Sequence, residues 1–190
     1  IYALCTLAFT TAPSLWGMSQ PPATESKPPN IVVILADDLG WNDVSMHGSL
    51  IPTPHIDQLS TQGVELKNLL VNSVCSPTRS SFYTGRDAVR NGYGGEVGSR
   101  LNPNFLTIAE SFKAAGYQTG VFGKWHNGHF NTTTDWSPTP MMAGFDTFAG
   151  FYGGGTDFYN QTRGNGPRNW FQNDQRIEND AGYLTDLISD

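Results

Sequence analysis

The sequence predicts an α/β fold, a largely parallel mixed sheet flanked by helices, and three observations predict it. Ile31 to Ala36 is a continuous apolar run rich in β-branched residues, the pattern of a strand buried on both faces. Two later stretches carry helix start signals, Thr53-Pro54 and Thr107-Ile108-Ala109-Glu110. Each of those helices is followed by an apolar segment, Val64 to Val71 and Tyr117 to Phe122, so strands and helices alternate as crossover connections between parallel strands require.

Ahead of the first strand, Ile1 to Trp16 is mostly apolar and uncharged and gives way to the polar, Pro-rich Gln20 to Asn30. Residues 1–19 are therefore expected to be a secretory signal peptide lacking its start, and 20–29 a linker. The apolar run is short and interrupted by Thr and Pro13, which argues against a membrane span. The first strand stops at Asp37-Asp38. Thr53 can N-cap a helix with Pro54 at its first position, and Gly63 ends it, giving a helix over Pro54 to Gln62. Pro77 fits the first turn of a further helix, which puts Cys75 at or just before a helix start. The capping box at Thr107 opens a helix that runs through Phe112 and Ala115 to Gly116, and Tyr117 to Phe122 follows as a short strand. From Met141 onward the chain is Gly-rich and aromatic, as in Phe151-Tyr152-Gly153-Gly154-Gly155, and reads as packed loops forming part of a substrate rim.

Composition narrows the function. At 190 residues, 38% hydrophobic and 12% aromatic, the chain can bury one sizeable core. Its 11 Lys plus Arg against 17 Asp plus Glu give a net charge of −6 with no basic run, so a nucleic-acid backbone is not an expected partner. Signal cleavage between Ala12 and Gln20 would remove Cys5 and leave Cys75 unpaired in an exported protein, where a free thiol needs an explanation. A buried inert cysteine is one explanation and chemical conversion another. Asn131-Thr132-Thr133 and Asn160-Gln161-Thr162 are candidate glycosylation sequons that accord with export.

Ligands in open α/β sheets sit beyond the carboxyl ends of the strands. That edge is where Asp37 and Asp38, then Cys75, then Lys124 with His126 are expected to converge. Adjacent carboxylates repel each other unless a counter-charge is present, and a hard divalent cation such as Ca²⁺ or Mg²⁺ supplies one. Two carboxylates are too few for a cage, so further oxygen ligands are needed. The free N–H groups at the start of the Cys75 helix and the planar charge of Arg79 favour a tetrahedral oxyanion.

Four blocks, in order and spacing, then carry a family resemblance. Cys75-x-Pro77-x-Arg79, closed by Thr84-Gly85, resembles the signature of the sulfatase family. Ala36-Asp37-Asp38-Leu39-Gly40-Trp41 resembles that family's opening metal-binding segment. Gly116-Tyr117-Gln118-Thr119 with Gly123-Lys124-Trp125-His126-x-Gly128 resembles its second signature, with Asn127 standing where many members carry leucine. Gly144-Phe145-Asp146-x-Phe148 resembles a segment found downstream. The resemblance implies an alkaline-phosphatase-like sulfatase fold, with residues 30–190 the N-terminal portion of the catalytic domain. It further implies that Cys75 is oxidised by a formylglycine-generating enzyme to formylglycine, the catalytic nucleophile towards sulfate-ester substrates. Asp37, Asp38 and modified Cys75 would ligate a metal, usually Ca²⁺ with Mg²⁺ the alternative. Arg79 would stabilise the modified residue, Lys124 would hold a sulfate oxygen, and His126 would act as base when sulfate leaves. His47, His55 and His129 keep ordinary packing or surface roles.

Family catalytic domains are longer than this chain, so further metal ligands and a further lysine and histidine are expected downstream, and the chain by itself is expected to lack turnover. The secretory reading points to a secreted or lysosomal protein, periplasmic in a bacterium. A phosphodiesterase or phosphonate hydrolase of the same superfamily shares the layout. A secreted binding protein on a decayed sulfatase scaffold is the non-enzymatic alternative. A phosphatase-like thiol enzyme is disfavoured, because its cysteine and arginine stand farther apart than Cys75 and Arg79.

Overall fold

The structure, a computed structural model, describes residues 27–93, 100–128, 138–179 and 182–189. The expected signal peptide over 1–19 and most of the linker, together with His129 and the sequon at Asn131, lie outside the described residues. The chain divides into two units, Ile1–Leu35 and Ala36–Asp190. In the first, described residues 27–35 form neither helix nor strand, and Val32 and Ile34 are exposed. The strand expected over Ile31 to Ala36 is therefore not formed. Composition supplies strand propensity but not pairing, and a strand takes shape only where a neighbour's N–H and C=O groups complete its ladder.

The second unit contains every helix and strand described below. Helix α1, Pro54–Gln62, matches its sequence signals, with Pro54 at the first position where its missing N–H costs nothing. Thr53 occupies the N-cap position but makes no side-chain cap bond. Its hydroxyl instead donates to Asp57 Oδ1 at 3.1 Å and accepts from the Ser45 N–H at 2.9 Å, fastening α1 to the segment before it. The strand expected over Val64 to Val71 is also absent: this stretch is coil with one turn, and Leu70 is fully open to solvent.

Helix α2 spans Cys75–Thr84 and carries Pro77 in its first turn. Gly85 ends it in the left-handed conformation, φ 63°, donating its N–H to Ser81 O at 2.8 Å. Helix α3, Ile108–Ala114, starts on the expected capping box: the Thr107 hydroxyl accepts from Glu110 N at 3.1 Å while Glu110 Oε2 accepts from Thr107 N at 2.8 Å. The Thr107 hydroxyl also donates to Ala143 O at 2.7 Å in a buried setting. Thr107→Ala removes both partners at once, so the full-length protein should lose about 1–2 kcal/mol, read as a lower urea midpoint with an unchanged slope.

A four-stranded sheet follows in the order β1-β2-β3-β4. Strand β1, Gly120–Lys124, runs parallel to β2, Thr147–Phe151, in a register from Gly120 opposite Thr147 to Lys124 opposite Phe151. The short β3, Phe171–Gln172, and β4, Gln175–Arg176, add an antiparallel hairpin, so the sheet is mixed with its longest ladder parallel. The β1–β2 approach leaves no room for a side chain at Gly150, whose Cβ would fall 2.0 Å from Gly123 O. Helix α4, Leu184–Ser189, closes the described chain. Trp125, Phe148 and Tyr83 centre the core, with Leu101, Ala109 and Phe145 around them, and Trp125 follows directly on the last residue of β1. Burying Trp125 completely anchors the carboxyl end of β1, and with it Lys124 and His126 on either side. Among the described residues no helix is long and apolar enough to cross a membrane.

Candidate active site

Three chain segments meet at the carboxyl end of β1. Arg79 lies one turn into α2 with its side chain only 7% exposed. Its guanidinium donates through Nη1 to Lys124 O at 2.7 Å and through Nη2 to Asp37 Oδ1 at 3.3 Å. The planar fork of an arginine allows this double engagement, which a lysine could not reproduce. Lys124, the last residue of β1, sends Nζ to Asp37 Oδ2 at 2.6 Å. Both oxygens of Asp37 are thus held by cations. Burial pushes the Asp37 carboxyl up, but the hydrogen bond and charge of Lys124, followed by Arg79, outweigh it and hold the group below the ordinary carboxylate range.

His126 continues the line of β1: the N–H of Trp125 donates to Phe151 O and that of His126 to Tyr152 O, each at 3.0 Å. Its backbone is left-handed, φ 53°, a region a side chain with Cβ enters only at a cost. The imidazole Nδ1 lies 3.2 Å from Cys75 Sγ. Cys75 is half-buried at the first position of α2, where backbone N–H groups have no intrahelical acceptor. The other edge of the ring faces the Gly153-Gly154-Gly155 run, and a Cβ on Gly154 would sit 2.6 Å from Nε2. The glycine run, read from the sequence as part of a rim, therefore meets His126 at Gly154. Three glycines directly after an aromatic strand were the available signal.

Burial, then the charges of Lys124 and Arg79, bring the His126 value down from 6.5 to about 4. The ring is neutral at ordinary pH and can accept a proton at Nδ1 from the group at position 75. The consequence for stability has a definite sign. Between about 4 and 6.5 the folded protein binds fewer protons at His126 than the unfolded chain does. Its contribution is fully present above pH 6.5 and is lost as pH falls towards about 4. Thermal midpoints of the cation-free full-length protein should decline across that window, and less steeply for His126→Gln, which cannot titrate.

Asp37, Cys75, Arg79, Lys124 and His126 are thus brought together, and Asp38 is not. Asp38 is exposed with φ 56° and makes no hydrogen bond or ion pair among the described residues. Among the described residues no group of three or more His, Cys, Asp or Glu side chains is placed to hold a metal ion. Asn160 Oδ1 accepts from Thr162 Oγ1 at 2.7 Å within its own turn. His47 stacks on Trp41 with ring centroids 3.7 Å apart and reaches Glu65 Oε1 at 2.9 Å, a surface arrangement.

The arrangement resembles known proteins in sequence and in backbone. The family model described as Sulfatase matches residues 29–186. Arylsulfatase J of Mus musculus is 39% identical over 144 residues, covering 73% of this chain and 23% of the relative. An arylsulfatase of Klebsiella aerogenes is 36% identical over 149 residues, covering 73% of this chain and 31% of the relative. The solved structure of BT4656 in complex with its substrate D-glucosamine-2-N,6-O-disulfate superposes with a TM-score of 0.68 at 27% identity, over 85% of this chain and 29% of that one. The crystal structure of Ps i-CgsB superposes with a TM-score of 0.69 at 29% identity, over 83% of this chain and 39% of that one. The chain spans about a quarter to a third of the length of these two curated relatives. A family match over most of the chain, supported by the shared backbone, means that this chain belongs to the sulfatase family.

Proposed function

We propose that the full-length protein hydrolyses sulfate esters with a formylglycine made from Cys75 by a formylglycine-generating enzyme. One observation carries the reading: a half-buried Cys75 at a helix start stands 3.2 Å from His126 Nδ1, with Arg79 and Lys124 clustered beside it on Asp37. The thiol marks the place a hydroxyl of the modified residue would take, within reach of a neutral base. The residue suits conversion, being free of any disulfide among the described residues. A hydrated formylglycine would supply two hydroxyls on one carbon, one to attack sulfur and displace the alcohol of the ester, and one whose deprotonation expels sulfate and restores the aldehyde. His126 takes that second proton at Nδ1. Lys124 holds a sulfate oxygen. Arg79 and the free N–H groups at the start of α2 stabilise negative charge around position 75.

Asp37 and Asp38 are hard oxygen donors of the kind Ca²⁺ or Mg²⁺ takes. They fit such a cation in kind but not in number, since no group of three potential ligands is assembled among the described residues. The remaining donors of a cation would come from the part of the relatives' length that this chain does not span. Export to the secretory pathway, with a secreted, lysosomal or periplasmic destination, and glycosylation at Asn160 belong to the same proposal.

The test is turnover by the matured full-length protein of 4-nitrophenyl sulfate against 4-nitrophenyl phosphate and its phosphonate and phosphodiester counterparts. Sulfate-ester turnover that is lost on exhaustive chelation, restored by Ca²⁺ and cut sharply by Asp38→Asn is expected. Preference for phosphorus would favour a phosphodiesterase or phosphonate hydrolase. No turnover of any ester by protein with verified formylglycine would favour a binding role.

A further inference from the structure

We propose that Asn127 is a positioning residue: its side-chain amide, clamped by Tyr93, holds His126 in the backbone conformation that aims the imidazole at position 75. Asn127 and the two residues before it, Trp125 and His126, are buried, and Asn127 is fully so. A buried amide is retained at low cost only when its donor and acceptor are both used. Here Nδ2 donates to Trp125 O at 3.1 Å, a bond that spans His126 and closes a small ring around it. Oδ1 accepts from the Tyr93 hydroxyl at 2.6 Å. The Asn127 carbonyl accepts from Leu101 N at 2.9 Å, so the residue is fixed through its backbone as well.

The arrangement matters because of what sits inside the ring. His126 is left-handed at φ 53°, a conformation that a residue with Cβ adopts only at a cost. Relaxing φ to the negative region would redirect the Cα–Cβ bond and carry Nδ1 away from Cys75 Sγ, now at 3.2 Å. The N–H bond of His126 to Tyr152 O at 3.0 Å fixes the near side of the peptide. The Asn127 bond to Trp125 O opposes relaxation from the far side. Tyr93 is 1% exposed, and burial pushes its phenol up, so it keeps the proton it donates. Ser80, a residue of α2, lies close to the Tyr93 phenol, and Asn91 Nδ2 donates to the Ser80 hydroxyl at 2.9 Å. The tyrosine of the clamp thus stands beside the helix that carries Cys75. A leucine at 127 would fill similar space while stripping Trp125 O of its donor and the Tyr93 hydroxyl of its acceptor.

The inference rests on the proposed role of His126, and its test separates the two. In unmatured full-length protein, which keeps the Cys75 thiol, the rate of alkylation by iodoacetamide at fixed pH reports whether a base stands beside that thiol. His126→Ala sets the floor. Asn127→Leu should bring the rate most of the way to that floor, and Tyr93→Phe, which deletes only a hydroxyl and should fold, part of the way. In the matured protein Asn127→Leu should lower kcat by about 10–100-fold with little change in KM. The double variant should be less than additive. Alkylation at the wild-type rate in folded Asn127→Leu, or in Tyr93→Phe should the leucine variant not fold, overturns the inference. Alkylation that follows the expected order in a protein with no sulfate-ester turnover overturns the proposed function and leaves the positioning role standing.

Discussion

Cys75→Ala in the full-length protein is expected to reduce sulfate-ester turnover by about 10³-fold or more, because the proposed nucleophile and the precursor of the proposed modified residue disappear together. The fold should not follow. Cys75 is half-buried at the first position of α2, and alanine is the best helix former. His126 Nδ1 loses its 3.2 Å partner but remains held through its backbone by Tyr152. Cys75→Ser is the sharper variant. It restores a hydroxyl near Nδ1 yet has only one, so sulfate transferred to it could not be expelled by deprotonating a second, and the cysteine-directed conversion cannot act on it. Steady-state rates on 4-nitrophenyl sulfate, with circular dichroism and thermal midpoints as controls, should show both variants folded and nearly inactive.

Arg79→Ala is expected to have the next largest effect, about 10²-fold or more in kcat/KM together with a loss of stability of about 1–3 kcal/mol. Its guanidinium holds Lys124 O and Asp37 at the same time, and its removal leaves a carbonyl and a carboxylate oxygen without their donors. Asp37 keeps Lys124 and is about one-third exposed, so water recovers part of the stability loss. Arg79→Lys separates charge from geometry. A lysine ammonium retains the positive charge but cannot span both acceptors, so stability should recover more than activity does. Equal recovery of both would mean that charge alone is what the site requires.

What could be read from the sequence divides along physical lines. Helix starts are local, and Pro54, Pro77 and the Thr107–Glu110 capping box lead directly to α1, α2 and α3. Strands depend on partners far away in sequence. Ile31 to Ala36 and Val64 to Val71 have strand-like composition and form no strand, whereas Gly120–Lys124, with two glycines, is a strand because Thr147–Phe151 pairs with it. The candidate site was legible as residue types at given spacings. Its wiring was not. Nothing local indicates that Asp37 would be held by Arg79 and Lys124, or that Asp38 beside it would make no hydrogen bond or ion pair among the described residues. Asn127 reads from the sequence only as a departure from leucine, and its proposed positioning role emerges with Tyr93 opposite its amide.

Mass spectrometry of the peptide around Cys75, taken from catalytically active full-length protein, tests the formylglycine mechanism most directly. The predicted result is an aldehyde at position 75, seen as a loss of mass relative to cysteine and as reaction with a hydrazide probe, in a fraction that tracks specific activity across preparations. An unmodified thiol at position 75 in fully active protein would contradict it.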